Sequence, residues 1–148
     1  MNYPLRPLVV IPTYNERDNI SQLIPAILNA DSRLHILVID DASPDHTAEE
    51  VLALKDKTWA ARLHLQSRPR KLGLGSAYVQ GFKWGLAKGY DFIIEMDADW
   101  SHNPADLPKM LQFKGRKFVD QSYRQVCLFY SLAKWIIKNR FSKVWEST

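Results

Sequence analysis

Phe92-Ile93-Ile94-Glu95-Met96-Asp97-Ala98-Asp99 is the stretch on which the reading of the fold turns. Its first five residues, mostly apolar, make a short buried strand, and two carboxylates spaced by one residue follow at the strand's end. A hard cation such as Mg²⁺ or Mn²⁺ takes oxygen ligands and commonly bridges protein carboxylates to substrate phosphates. Asp-x-Asp alone is a weak signal, and a solvated, turn-forming acidic loop is the plain alternative. The rest of the chain has to decide between them.

Upstream, Leu8–Ile11 reads as a buried strand closed by Pro12, Ile36–Ile39 as a second ending in Asp40-Asp41, and Arg62–Gln66 as a weaker third. Ile20, Leu23, Ile24, Ile27 and Leu28 recur at the spacing of one helix face, with Pro25 as a local conflict inside the pattern. Ser43-Pro44-Asp45 predicts a turn, with Asp45 capping a helix over about residues 46–56. A basic, glycine-rich loop from Arg68 to Gly75 leads into a helix over about 76–88, which Gly89 stops; Pro104 opens another that reaches about 112. This strand–helix alternation predicts an α/β fold, a mostly parallel, twisted, Rossmann-like sheet with helices on both faces. In such sheets ligands bind outside the carboxyl ends of the strands. Pro12–Glu16, Asp40-Asp41, Arg68–Gly75 and Asp97–Asp99 all belong to those ends.

At 148 residues the chain suits one domain with a real core, and 46% apolar with 24% charged residues is the composition of a soluble globular protein. Cys127 is the only cysteine, which excludes an intrachain disulfide and permits a reducing compartment. The first apolar run is too short for a signal peptide, and no stretch approaches the roughly 20 apolar residues of a membrane span. The expectation is a cytoplasmic protein with no nucleic-acid partner. The charge is uneven. Residues 1–111 hold 12 Lys and Arg against 14 Asp and Glu, whereas residues 112–148 hold 8 against 2. The chain therefore divides into an acidic α/β part, 1–111, and a basic, aromatic segment, 112–148. In the latter, Val126, Phe129, Tyr130, Ala133, Ile136 and Ile137 fall at helical spacing, with Trp135 and Trp145 nearby. A basic amphipathic helix of that kind can lie on the cytoplasmic face of an anionic membrane. A C-terminus covering exposed core is the preferred alternative.

Glu16, Asp40, Asp41, Asp97 and Asp99 would crowd one sheet edge. Their mutual repulsion raises carboxylate pKa values unless a cation or hydrogen-bond donors neutralise them. A metal held by Asp97 or Asp99 would do so and recruit a diphosphate. Tyr14 offers a flat face to a base, Glu16 and Asp41 offer acceptors to base or ribose, and Lys71 with Arg68 or Arg70 offers positive charge to phosphates. Two competing motifs fail. Gly73-Leu74-Gly75 begins a G-x-G-x-x-G, but Tyr78 stands in place of the third glycine and the loop follows the third strand, not the first. Asp97-Ala98-Asp99 also suggests a phosphatase of the haloacid-dehalogenase type with Asp97 as nucleophile, but that motif sits near the N-terminus, and too little chain follows here.

Four segments resemble family 2 glycosyltransferases: Val9–Glu16, Val38–Asp45, Arg68–Tyr78 and Met96–His102. Lys71-Leu72-Gly73-Leu74-Gly75 and Asp97-Ala98-Asp99-Trp100-Ser101-His102 narrow the resemblance to dolichol- or polyprenol-phosphate mannosyltransferases. The resemblance implies a GT-A nucleotide-sugar-binding fold, GDP-mannose as donor, a lipid phosphate as acceptor, and Mg²⁺ or Mn²⁺. It implies that Pro12, Tyr14, Glu16, Ile39 and Asp41 contact the guanosine, and that Asp97, Ala98 and Asp99 hold metal and diphosphate, Asp99 being the catalytic choice. Ser101 stands where some relatives carry a metal-contacting Gln. The similarity ends near Leu111, so the resemblance implies a donor-binding part without the acceptor half. A catalytically silent nucleotide-binding module stays open beside an active transferase.

Overall fold

The computed structural model describes residues 6–112 and 127–129. Five strands form one sheet: β1 (Pro7–Thr13), β2 (His35–Asp40), β3 (Leu63–Ser67), β4 (Phe92–Glu95) and β5 (Cys127–Phe129), in the spatial order β3-β2-β1-β4-β5. The first four are parallel and β5 is antiparallel to β4. The connections are α1 (Arg17–Ala30), α2 (Thr47–Leu54), α3 (Leu74–Ala87) and, after β4, a 3₁₀ turn (Pro104–Asp106) that runs into α4 (Leu107–Gln112).

Both sheet faces are covered, which is why the strands read as unbroken apolar runs. Val9 and Ile11 of β1, with Ile36, Val38 and Ile94, pack under α1, α2 and α4; Leu8 and Val10, with Leu37, Ile39 and Ile93, pack under α3. Ile20, Leu23, Ile24, Ile27 and Leu28 are all buried, so the helical face read from the sequence is the one that meets the sheet. Burial of that face outweighs the hydrogen bond lost at Pro25, and α1 runs through it. On the other side, α3 comes close to β1 and β4 at two glycines one turn apart. A Cβ on Gly81 would lie 2.4 Å from Val10 Cγ1, and one on Gly85 would lie 2.9 Å from Ile93 Cδ1 and Leu8 Cδ2.

Three expectations need correcting. β1 is not closed by Pro12 but continues to Thr13. Met96 donates to the Val10 carbonyl, so Val10, and Pro12 two residues on, face the β4 side. The β1–β4 ladder ends at Val10, so the N–H that Pro12 lacks has no strand partner to miss. The helix expected over about 46–56 begins at Thr47 and ends in a π turn, Lys55–Trp59. The helical spacing that includes Phe129 is not followed there: Cys127–Phe129 pairs with Ile94–Phe92, supplying backbone partners to what would be an open sheet edge. Val126, Tyr130, Ala133, Trp135, Ile136, Ile137 and Trp145 lie outside the described residues.

At the amino ends of the strands, Tyr90 links two histidines, its hydroxyl lying 2.8 Å from His35 Nδ1 and 3.3 Å from His64 Nε2. Burial, then nearby positive charge, pushes both imidazoles below their ordinary value of 6.5. The folded state therefore binds fewer protons here than the unfolded chain. The stability these groups contribute is complete above pH 6.5 and is lost as pH falls through their depressed values. The urea midpoint is expected to drop between about pH 7 and pH 5, with both NMR titration midpoints below 6.5; a midpoint above 6.5 for either ring contradicts this packing. For the glycines, Gly81→Ala is expected to destabilise by roughly 1–3 kcal/mol through overpacking. Gly75→Ala, where nothing lies within 4 Å of the new methyl, should stabilise by about 0.5–1 kcal/mol through helix propensity. Equilibrium urea unfolding of both variants checks the opposite signs.

Candidate nucleotide and metal site

β1 has β2 on one side and β4 on the other, so the strand order reverses direction at β1 and the crevice expected of an open parallel sheet opens at its carboxyl end. A cleft of about 310 Å³ occupies that place. Pro12, Thr13, Tyr14 and Glu16 line it from the end of β1, Asp41 from β2, Lys71, Gly73, Leu74 and Ala77 from the β3–α3 loop and α3, and Asp97, Ala98 and Asp99 from β4. Of the residues singled out in the sequence, this brings eight together: Pro12, Tyr14, Glu16, Asp41, Lys71, Asp97, Ala98 and Asp99. Ile39 is fully buried under α3 and is not among the lining residues. Thr13, Gly73 and Leu74 fall within segments that the sequence places at this edge but had no role of their own there, and Ala77 lies just beyond them. For Leu74 and Ala77 the usable signal was that the first turn of a helix after a strand's carboxyl end faces the same crevice.

The crowded carboxylates are each met by donors. Asp40 is 1% exposed and turned into the structure, where the Thr13 and Ser43 hydroxyls donate to Oδ1 at 2.8 and 2.6 Å and the Ser43 N–H donates to Oδ2 at 3.0 Å. Asp41, beside it, is gripped by Arg68. The guanidinium donates through Nε to Oδ1 and through Nη2 to Oδ2 at 2.7 Å, and the Leu72 N–H adds a third donor at 3.0 Å. Arg68 reaches further, to the Gly73 carbonyl at 3.0 Å and the Ser76 hydroxyl at 2.7 Å. Arg68 is thus a buried staple between β2, its own loop and α3, and not a cation free to meet phosphate; Arg70 is exposed and does not line the cleft. Lys71 does line it, with Nζ 4.3 Å from the centre of the Tyr14 ring.

The loop that carries Tyr14 and Glu16 is held by side chains of the β2–α2 connection. The backbone N–H groups of Asn15, Glu16 and Arg17 donate to the Ser43 hydroxyl, the Thr47 hydroxyl and the Asp45 carboxylate at 3.0, 3.1 and 3.1 Å. Asp45 also accepts the Thr47 N–H, so it serves the start of α2 as the sequence predicts, from one position further out. Asn15, Ala42 and His46 hold positive φ angles (59°, 55° and 67°) in these two loops, and Trp100 does so (64°) beside Asp99. Such strain concentrates at functional sites.

Asp97 accepts the Tyr78 hydroxyl at 2.7 Å through Oδ1. Asp99 is exposed, and hydrogen bonds from Ser101, hydroxyl first and backbone N–H second, hold its carboxyl below the usual range. The Ser101 N–H lies 2.9 Å from Asp99 Oδ1. Among the described residues, no group of three or more His, Cys, Asp or Glu side chains is gathered to hold a metal. Two carboxylates at an open cleft nevertheless fit a hard divalent cation, which is bound through one or two carboxylates plus the oxygens of a substrate phosphate.

Because Arg68 and Asp41 are both about 95% buried, removing one partner strands the other. Arg68→Met is expected to cost about 3–5 kcal/mol. Arg68→Lys, which keeps the charge but not the two-pronged fork, should still cost a measurable part of it. Urea unfolding that leaves Arg68→Met within 1 kcal/mol of the parent contradicts the staple.

The comparisons with known proteins agree with this geometry. A profile of glycosyl transferase family 2 matches residues 8–137. The chain is 48% identical over 108 residues to polyprenol monophosphomannose synthase of Mycolicibacterium smegmatis, a match that takes in 72% of this chain and 40% of that protein. It is 43% identical over 110 residues to undecaprenyl-phosphate mannosyltransferase of Micrococcus luteus, across 73% of this chain and 44% of the relative. The chain thus spans less than half the length of these relatives. Among solved structures, the mannosyltransferase PcManGT of Pyrobaculum calidifontis, in complex with GDP-Man and Mn²⁺, superposes with a TM-score of 0.66 at 24% identity, over 79% of this chain and 34% of that one. The fold is therefore that of a GT-A glycosyltransferase, and the chain belongs to glycosyl transferase family 2.

Proposed function

We propose that this chain is the donor-binding part of a metal-dependent mannosyltransferase that takes GDP-mannose and passes mannose to a polyprenyl or dolichyl phosphate. One observation carries the reading: the two acidic residues after β4 share a single cleft with an aromatic ring and a carboxylate from the ends of β1 and β2. The similarity to two polyprenol-phosphate mannosyltransferases supports the sugar and the lipid acceptor. The Mn²⁺ and GDP-Man of the Pyrobaculum calidifontis structure support the donor and the cation.

In this reading Tyr14, Pro12, Glu16 and Asp41 receive the guanosine, with Ile39 behind them in the core. Asp97 and Asp99 hold Mg²⁺ or Mn²⁺ against the diphosphate, with Ala98 between them and Lys71 at the rim. The cation supplies positive charge that stabilises the departing nucleoside diphosphate. The chain's own residues bind, orient and hold charge. No strong general base is needed, because a lipid phosphate is already anionic near neutral pH. One of its oxygens attacks the anomeric carbon as the bond to the diphosphate breaks, which inverts the configuration and yields a β-linked mannosyl phosphate. A lipid acceptor implies work at a membrane surface. Among the described residues no helix is long and apolar enough to cross a membrane.

The chain's short span of its relatives gives a second reading, a nucleotide-binding module without transfer. A transfer assay with GDP-mannose and polyprenyl phosphate separates the two. Mannosyl lipid that forms in Mn²⁺ and not in EDTA supports the transferase; metal-dependent GDP binding without product supports the module. Asp99→Asn is expected to abolish metal-assisted GDP binding with the fold intact by circular dichroism. Unchanged GDP affinity in Mn²⁺ would sink the metal assignment. A phosphoenzyme trapped on Asp97 would instead identify a phosphohydrolase.

A further inference from the structure

We propose that Tyr78 is a positioning residue for this site: from α3, its hydroxyl holds one oxygen of Asp97 and so presents the other to a cation and diphosphate. The inference rests on the reading of the cleft as a metal–nucleotide site. Among the described residues, the Tyr78 hydroxyl is the only hydrogen-bond donor to the Asp97 carboxylate, at 2.7 Å to Oδ1. That leaves Oδ2 available, unlike Asp40, whose two oxygens are taken up by three donors within the protein.

The phenol is well fixed for this task. Tyr78 is half-buried, and its ring stacks on that of Phe82 with centroids 6.3 Å apart and planes 20° from parallel. Phe82 is itself 1% exposed in the core beneath α3. Gly81 and Gly85 let α3 sit close on β1 and β4, which brings a residue of α3 within reach of the carboxylate at the end of β4. A hydrogen bond from outside the ligand set fixes the direction of a metal-binding side chain, and losing one typically costs 10–100-fold in metal affinity. Without the hydroxyl, the Asp97 carboxylate is free to rotate among neighbours that repel it.

Tyr78→Phe removes the hydroxyl and keeps the ring. Calorimetric titration with GDP, in Mn²⁺ and again in EDTA, reads the gain in affinity that the metal confers. The proposal predicts that this gain falls by roughly tenfold or more in Tyr78→Phe. Affinity in EDTA and the thermal midpoint of the free protein should stay close to those of the parent. A metal-dependent gain equal to the parent's overturns the positioning role, as does a loss of equal size in Mn²⁺ and EDTA, which would make Tyr78 a structural residue only. If the parent itself shows no metal-dependent GDP binding, the reading of the cleft fails, and this inference with it.

Discussion

Like charges gathered at the carboxyl edge of a parallel sheet are the constraint on which the rest of this structure depends. Glu16, Asp40, Asp41, Asp97 and Asp99 all belong to that edge, and in a low-dielectric setting they cannot coexist ionised without compensation. The chain divides the task. Asp40 is spent on structure, cross-linking the ends of β1 and β2 through Thr13 and Ser43. Asp41 is neutralised by the fork of Arg68, which also fastens the β3–α3 loop and the start of α3. Among the described residues Asp97 takes a single hydroxyl and Asp99 the donors of Ser101, so these two cleft-lining carboxylates keep acceptor capacity. Asp40 is turned inward and used up by the protein, Asp41 is neutralised but still lines the cleft, and Asp97 and Asp99 are left for a ligand.

That division ties stability to function. The loops that carry Tyr14, Glu16 and Lys71 contribute little apolar burial, and their shape depends on polar side chains reaching from neighbouring loops. Positive φ at Asn15, Ala42, His46 and Trp100 is the backbone cost of aiming them. The core holds this strain, with β1 and β2 buried on both faces and α3 pressed against β1 through Gly81 and Gly85. A cleft placed at the point where strand order reverses inherits its position from the sheet and its chemistry from the loops.

Much of this was legible in the sequence, because its strongest signals are local. The apolar runs of β1, β2 and β4, the spacing of Ile20 to Leu28 and the acidic residues after each strand were read directly and fix both the parallel sheet and the edge where the cleft lies. Partners distant in sequence were not legible. Arg68 reads as one more cation in a basic loop, and nothing local says that it pairs with Asp41, 27 positions away, instead of meeting a phosphate. Tyr78 enters the sequence reading as a residue that spoils a glycine motif and as the end of a family-like segment, with no role of its own; its contact with Asp97 depends on how closely α3 lies on the sheet. Phe129 fits a helical spacing in isolation, and the edge of β4 explains the strand Cys127–Phe129. At Pro12 the local rule failed because the lost donor points where the neighbouring ladder has already ended.

The central claim is that the switch-point cleft, and within it Asp97 and Asp99, holds a divalent cation and a nucleoside diphosphate. A crystal structure of the chain grown with GDP and Mn²⁺, with anomalous scattering used to locate the manganese, tests it most directly. The account predicts one strong manganese peak between the Asp97 and Asp99 carboxylates and the diphosphate, with the base at the Tyr14 and Asp41 end of the same cleft. Manganese seated elsewhere, for example on His35 and His64 at the opposite edge of the sheet, or a nucleotide outside the cleft, would contradict it.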